Sequence, residues 1–181
     1  MQTRQARLLP RLFLMTDERM GDALWDALAR LPKGAGVVFR HYDLPSAERC
    51  ALFARVRKIA RARRLTLLLA GPPRLAIAWR ADGAHGRSRH IRAAKPLIRS
   101  APVHDRREMH ATRRCALRFV SPVHATRSHP DGGALGVVRL GLLIGRDRAG
   151  LVALGGMTPA RARALQALGI RRWAAIDWWR R

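Results

Sequence analysis

The chain has 181 residues, 48% of them hydrophobic, which is enough for one well-buried core and short for two. Thirty-six basic against twelve acidic residues give a formal charge of +24, which favours anionic partners (phosphorylated small molecules, nucleic acid or an anionic membrane surface) without choosing among them. No apolar run approaches the roughly 20 residues of a membrane span, and in MQTRQARLLPRLFLMTDERM the apolar stretch meets Asp17 and Glu18 too soon for a secretory signal.

The expectation is therefore a cytoplasmic, single-domain protein over residues 1–181 with no membrane contact. Cys50 and Cys115 form no CxxC and no Cys/His cluster at metal-ligand spacing, so no disulfide framework, metal or cofactor is indicated. Lys33, Lys58 and Lys95 are the only lysines. A GC-rich coding bias gives the same arginine excess without any function.

Taken in order, short apolar runs alternate with stretches of helical period, the pattern of repeated βα units. Leu12–Met15 reads as a first strand. Asp22–Leu31 follows as an amphipathic helix with Ala23, Leu24, Ala27, Leu28 and Leu31 on one face. After a strand at Gly36–Phe39, Ser46–Arg63 reads as a helix started by the Ser46 hydroxyl, with Ala47, Cys50, Ala51, Ala54, Ile59 and Ala62 on its apolar face. Further strands are expected at Thr66–Leu69, Gly83–His85, Leu97–Ala101 and Ala116–Val120.

Ser121–Gly136 is rich in Ser, Thr, His, Pro and Gly and has no period, so it reads as a long loop of the kind that often carries function. Leu151–Leu154 is the next strand. Thr158 and Pro159 start a helix over Ala160–Leu168 that Gly169 stops. Trp173–Ile176 is the eighth strand, and Asp177-Trp178-Trp179-Arg180-Arg181 is too short for a closing helix. Eight strands at this spacing fit a compact (β/α)8 barrel with an abbreviated last unit. An apolar pair at Trp178 and Trp179 would suit homodimer formation.

Two loops are built for anions. In residues 152–159 an apolar strand runs into Gly155-Gly156 and then a capped helix, so the backbone can approach an anion and free N–H groups can face it. Thr126-Arg127-Ser128-His129 brings two hydroxyls, a guanidinium and an imidazole together as donors.

SPVHATRSHP (121–130) resembles the GPVFxTxSKP loop of the thiamine-phosphate synthase and TenI family, and ALGGMTP (153–159) resembles its ALGGITP motif. LFLMTDER (12–19), VVFRHYDL (37–44) and ADGAH (81–85) are similar to its LYLITD, VQLREKDL and ADGVH segments, in the same order. The resemblance implies a barrel in which Thr126, Ser128, Gly155 and Gly156 hold the phosphate of a thiazole phosphate or thiamine phosphate and Arg40 reaches an anionic group. Arg127, His129, Arg87 and Arg89 are further candidate anion contacts.

The departures point away from the synthase reaction. The family's Asn-Asp pair after the third strand, which binds diphosphate and magnesium, is Ala70-Gly71 here, and near its fourth-strand Asp stands Arg87-Ser88-Arg89-His90. Magnesium wants carboxylate oxygens beside substrate phosphates. Two lysines of the pattern become Tyr42 and His129, and a phosphate-holding serine becomes Asp177, whose carboxylate repels phosphate.

TenI-type members aromatise a thiazole phosphate carboxylate by metal-free proton transfer through a histidine after the sixth strand. His124, two residues beyond that position, is the expected proton carrier, since imidazole gives and takes protons near neutrality. His85 ends a strand, and His104 and His110 are expected on the surface of the fifth unit.

Three functions follow in order: a thiamine-pathway barrel that binds a phosphorylated thiazole or thiamine phosphate without magnesium, as a tautomerase or a catalytically reduced binder; an active synthase with arginines in place of metal ligands; and a basic nucleic-acid binder. The last lacks any helix-turn-helix, RNP or zinc-finger signature.

Overall fold

In the computed structural model of the chain, residues 9–87, 97–126 and 133–180 are described. Arg89, Arg127, Ser128 and His129, all expected anion contacts, lie outside them.

Eight parallel strands close into a barrel in sequence order: β1 (Leu12–Met15), β2 (Gly36–Phe39), β3 (Thr66–Ala70), β4 (Gly83–His85), β5 (Ile98–Val103), β6 (Leu117–Val120), β7 (Leu151–Ala153) and β8 (Trp173–Ala175), with β8 pairing back onto β1. Helices α1 (Ala23–Arg30), α2 (Ser46–Ala62), α3 (Pro73–Ala78), α4 (Arg106–Ala111), α5 (Gly136–Ile144) and α6 (Pro159–Ala164) follow strands 1, 2, 3, 5, 6 and 7. A 3-10 turn, Asp177–Arg180, follows β8.

Side chains alternate between the two faces of each strand. In β1, Phe13 and Met15 point into the barrel while Leu14 faces the helices. The Phe13 and Phe119 rings meet edge to face at 5.2 Å although β1 and β6 are not neighbours, so they meet across the interior. Gly36 makes room for Phe13: a Cβ on it would lie 2.2 Å from that ring. A strand buried on both faces reads as an unbroken apolar run, which is why GVVF and LRFV are buried throughout.

LRFV includes an arginine. Arg118 points toward the helix layer and is 1% exposed. It is held by both oxygens of Asp147, at 2.6 and 2.7 Å, and by the Ala149 carbonyl.

Helix α1 buries Leu24, Ala27 and Leu28, the expected face. For α2 the expected face is corrected: Phe53, Val56 and Ala60 are buried, whereas Ala47, Cys50, Ala51, Ala54 and Ala62 are exposed. Alanine loses little in water, so the large residues set the orientation. Ser46 is not the cap either, since the N-cap is Pro45 with no side-chain bond. Thr158 does cap α6, accepting from the Arg161 amide at 3.3 Å, and Gly169 takes the left-handed stop.

The tryptophan pair packs back onto the barrel. Trp179 is 7% exposed, and both it and the half-buried Trp178 pack into the core that α1 and α2 share. Arg30 fixes this arrangement by donating to the Trp179 carbonyl at 2.8 Å. Among the described residues no helix is long and apolar enough to cross a membrane.

Candidate functional site

A cavity of about 220 Å³ opens at the C-terminal ends of the strands. Arg40 enters it from just beyond β2, His104 from beyond β5, Ser121 and Thr126 from beyond β6, Leu154 to Met157 from beyond β7, and Asp177 from beyond β8. This is the end at which βα-barrels place their ligands, because the connecting loops there vary without disturbing the barrel.

The Gly155-Gly156 turn forms one wall. Both glycines have positive φ, +91° and +58°. Each also touches the loop after β6: a Cβ would lie 2.7 Å from Pro122 Cα at Gly155 and 2.3 Å from the Ala125 carbonyl at Gly156. The two loops expected to hold an anion thus form one continuous surface, tied by bonds from the Val123 amide to the Leu154 carbonyl (2.8 Å) and from the His124 amide to the Gly155 carbonyl (3.1 Å). Among the described residues, the amides of Gly155, Gly156 and Met157 donate to nothing in the chain. Successive free amides at a left-handed turn make an anion-binding nest.

Arg40 stands across the mouth with its backbone amide on Thr16 Oγ1 at 3.0 Å and its guanidinium 3.9 Å from Asp17. Arg19 holds Asp17 more closely, at 2.5 and 2.9 Å, and keeps its carboxyl below the usual carboxylate range.

Of the expected site residues, Thr126, Gly155, Gly156 and Arg40 are brought to the cavity wall. Arg87 is not; it is exposed and pairs with Glu108. His124 is not on the wall either. Its Nε2 is enclosed with no hydrogen-bond partner, and burial, reinforced by Arg161, lowers its pKa. A two-residue displacement along an irregular loop does not keep a side chain on one face as it does in a strand.

His104, expected on the surface of the fifth unit, is exposed there and also lines the cavity. Its Nδ1 lies 2.9 Å from Glu108 Oε2, and that oxygen also accepts from the His104 amide at 2.8 Å. Arg87 Nη2, which can only donate, lies 3.2 Å from the same Nδ1, so Glu108 and Arg87 favour opposite tautomers of the ring. The signal was local: Asp105 caps α4 by accepting from the Glu108 amide at 2.8 Å, and Glu108 reaches back as in a capping box. His85 is buried at the end of β4 on Ser100 Oγ (3.0 Å), and burial pushes its pKa down to about 4, with Arg40 adding to the shift. His110 is exposed.

The residues present do not fit a magnesium-bound diphosphate. β3 ends in Ala70 and Gly71, which offer no carboxylate. Asp17 is taken up by Arg19, and Glu108 by Arg87 and His104. Among the described residues no group of three or more His, Cys, Asp or Glu side chains is placed to hold a metal.

A closed parallel eight-stranded barrel with an amide-lined cavity at its strand ends defines a (β/α)8 barrel protein with a cavity among its βα loops. Residues 12–178 match the family of thiamine monophosphate synthase, TMP-TENI, and the chain belongs to that family.

Among solved structures it is similar to the thiamine phosphate pyrophosphorylase of Pyrococcus furiosus, with a TM-score of 0.76 and 20% identity over 96% of this chain and 88% of that one. The thiamine phosphate pyrophosphorylase of Bacteroides thetaiotaomicron gives a TM-score of 0.56 and 15% identity over 92% and 82%. A 3-hexulose-6-phosphate synthase gives 0.63 and 14% over 91% and 88%. At these identities the likeness carries the fold alone. A sequence search among curated proteins finds no match.

Proposed function

We propose that the protein binds a phosphorylated thiazole or thiamine phosphate at the barrel mouth without magnesium, as a catalytically reduced member of its family. The observation that carries this is the run of free amides at Gly155, Gly156 and Met157, lining one cavity with Arg40 and Thr126. Backbone donors and a guanidinium together suit a single phosphate. The carboxylates that a metal-bound diphosphate needs are replaced or engaged by arginine, which counts against the synthase reaction.

Calorimetry with a thiazole phosphate in the presence of EDTA tests the reading. Binding is expected, unchanged by added Mg²⁺, and Arg40→Gln should weaken it about tenfold through the loss of one charge-assisted hydrogen bond. No binding, or binding only with Mg²⁺, overturns it.

A TenI-type proton transfer is the second reading, supported by an imidazole on the wall. That imidazole is His104, oriented by Glu108, rather than His124.

Nucleic-acid binding draws support from a different place. A groove of about 580 Å³ at the opposite end of the barrel is lined by Arg11, Arg163, Arg171 and Arg172. Salt-insensitive or absent binding of random DNA would remove that reading.

A further inference from the structure

A second concavity lies at the other end of the barrel, where β1 and β8 begin. Its volume is about 580 Å³, within the roughly 300–1,000 Å³ of small-molecule sites. Three separate segments bring arginines to it: Arg11 from before β1, Arg163 from α6, and Arg171 and Arg172 from before β8. Leu12 pairs with Trp173 in the β1–β8 ladder, and the Trp173 amide donates to the Arg11 carbonyl at 2.9 Å. Arg11 and Arg172 therefore stand side by side where the two strands start.

Like charges placed next to each other across a ladder repel. Burial, with the Arg11 charge adding to it, lowers the Arg172 pKa, yet a guanidinium stays charged at any working pH. Among the described residues, none that lines the groove is acidic. Elsewhere carboxylates take up arginines, as Asp17 does for Arg19, Glu108 for Arg87 and Asp147 for Arg118. Among the described residues, the guanidiniums of Arg11, Arg163 and Arg171 have no such partner. The half-buried Leu12 and Trp173 add an apolar wall, and a cleft of one charge sign with low-dielectric walls concentrates its field.

We infer that this groove is a second anion site, separate from the mouth, that takes a chain of linked phosphates such as the polyphosphate group of a nucleotide. Four guanidiniums present more paired donors than one phosphate can accept, whereas linked phosphates supply several acceptors and charges within a short length. A nucleic-acid strand is served by a groove that tracks its backbone; these arginines come from three segments and line one pocket. The inference does not depend on the phosphate reading of the mouth.

Tripolyphosphate, inorganic phosphate and an oligothymidylate are the probes, each titrated by calorimetry at about 0.15 M salt to screen long-range charge. They are applied to the wild-type chain, to Arg163→Gln/Arg171→Gln, to Arg40→Gln at the mouth, and to Arg61→Gln/Arg114→Gln, which removes the same charge elsewhere on the surface. All the substituted groove and control arginines except Arg40 are exposed, and unchanged unfolding midpoints confirm folding.

The wild type is expected to bind tripolyphosphate at least about tenfold more tightly than inorganic phosphate, and Arg163→Gln/Arg171→Gln to weaken tripolyphosphate by at least about tenfold. Arg40→Gln and Arg61→Gln/Arg114→Gln should leave it within about twofold. Absence of tripolyphosphate binding overturns the inference, as does inorganic phosphate bound equally well. An equal loss in Arg61→Gln/Arg114→Gln overturns it by showing attraction to net charge only, and a loss confined to Arg40→Gln overturns it by moving the anion to the mouth. An oligothymidylate that binds through Arg163 and Arg171 and is not displaced by tripolyphosphate overturns it in favour of a nucleic-acid strand.

Discussion

Arg49 holds the backbone of Arg40 in place: from the second turn of α2 its guanidinium donates twice to the Arg40 carbonyl, at 2.9 and 2.7 Å. The same group donates to the Ala70 carbonyl at the end of β3, at 2.7 Å, and stacks over the Phe39, Tyr42 and Trp79 rings. One side chain thus ties the C-terminal ends of β2 and β3 together beneath the cavity. Burial lowers its pKa, but a guanidinium stays charged at any working pH.

Arg49→Lys keeps the charge and loses the planar fork, so one ammonium cannot reach both carbonyls and lie over the rings. The expected cost is about 1–2 kcal/mol of stability, together with a several-fold loss of phosphate affinity, because Arg40 is no longer fixed. Urea unfolding and calorimetry measured on the same variant check this. Loss of stability with unchanged affinity would show that Arg40 holds its place without Arg49.

His85 sets a pH dependence of stability. Its pKa is about 4 in the folded chain, against about 6.5 for an unperturbed histidine. The folded state therefore resists a proton that the unfolded state takes up. The resulting stability is fully present above pH 6.5 and is lost as pH falls from about 6.5 toward 4, to a total of roughly 3 kcal/mol. His41 and His124, also lowered by burial, act in the same direction. Urea midpoints at pH 7.5 and 4.5 should differ accordingly, and His85→Gln should remove much of the difference; an undiminished difference assigns it elsewhere.

The barrel was legible in the sequence because parallel strands buried on both faces leave unbroken apolar runs, and all eight appear where Leu12–Met15, Gly36–Phe39 and the others were placed. The glycine turn was legible too, since the strand, Gly155-Gly156 and capped helix follow one another directly. Residues whose position depends on how a loop curves were not. His124 and His104 have similar surroundings in the string, yet one is packed behind the glycine turn and the other lines the cavity. The α2 face was obscured by alanines, which mark no side. Trp179 could not be placed because its partners on α1 and α2 lie more than a hundred residues away.

Arg118 and Asp147 give a prediction about asymmetry. Arg118 is 1% exposed, whereas the Asp147 side chain is 52% exposed. Removing Asp147 leaves a buried guanidinium short of acceptors; removing Arg118 leaves a carboxylate that water can reach. Asp147→Ala is therefore expected to cost about 1–3 kcal/mol and Arg118→Met less, although Arg118 makes the larger number of contacts. Thermal unfolding of both variants decides it, and a larger loss for Arg118→Met would show that packing of the long side chain outweighs its charge.

The two histidines near the mouth can be separated by the same logic. His124 sits off the cavity wall, and its Nε2 has no partner to lose. His124→Ala is expected to leave phosphate affinity within about twofold and stability within about 1 kcal/mol. His104 lines the wall with its Nδ1 beside Glu108 and Arg87, so of the two rings it is the one placed to exchange a proton with a bound ligand. In a thiazole tautomerisation assay, His104→Gln should therefore abolish any turnover that the wild type shows, while Glu108→Gln, which removes the carboxylate beside the ring, should reduce it and shift its pH profile. Turnover lost in His124→Ala and kept in His104→Gln would return the proton to His124 and would require the loop after β6 to turn that ring into the cavity when ligand binds.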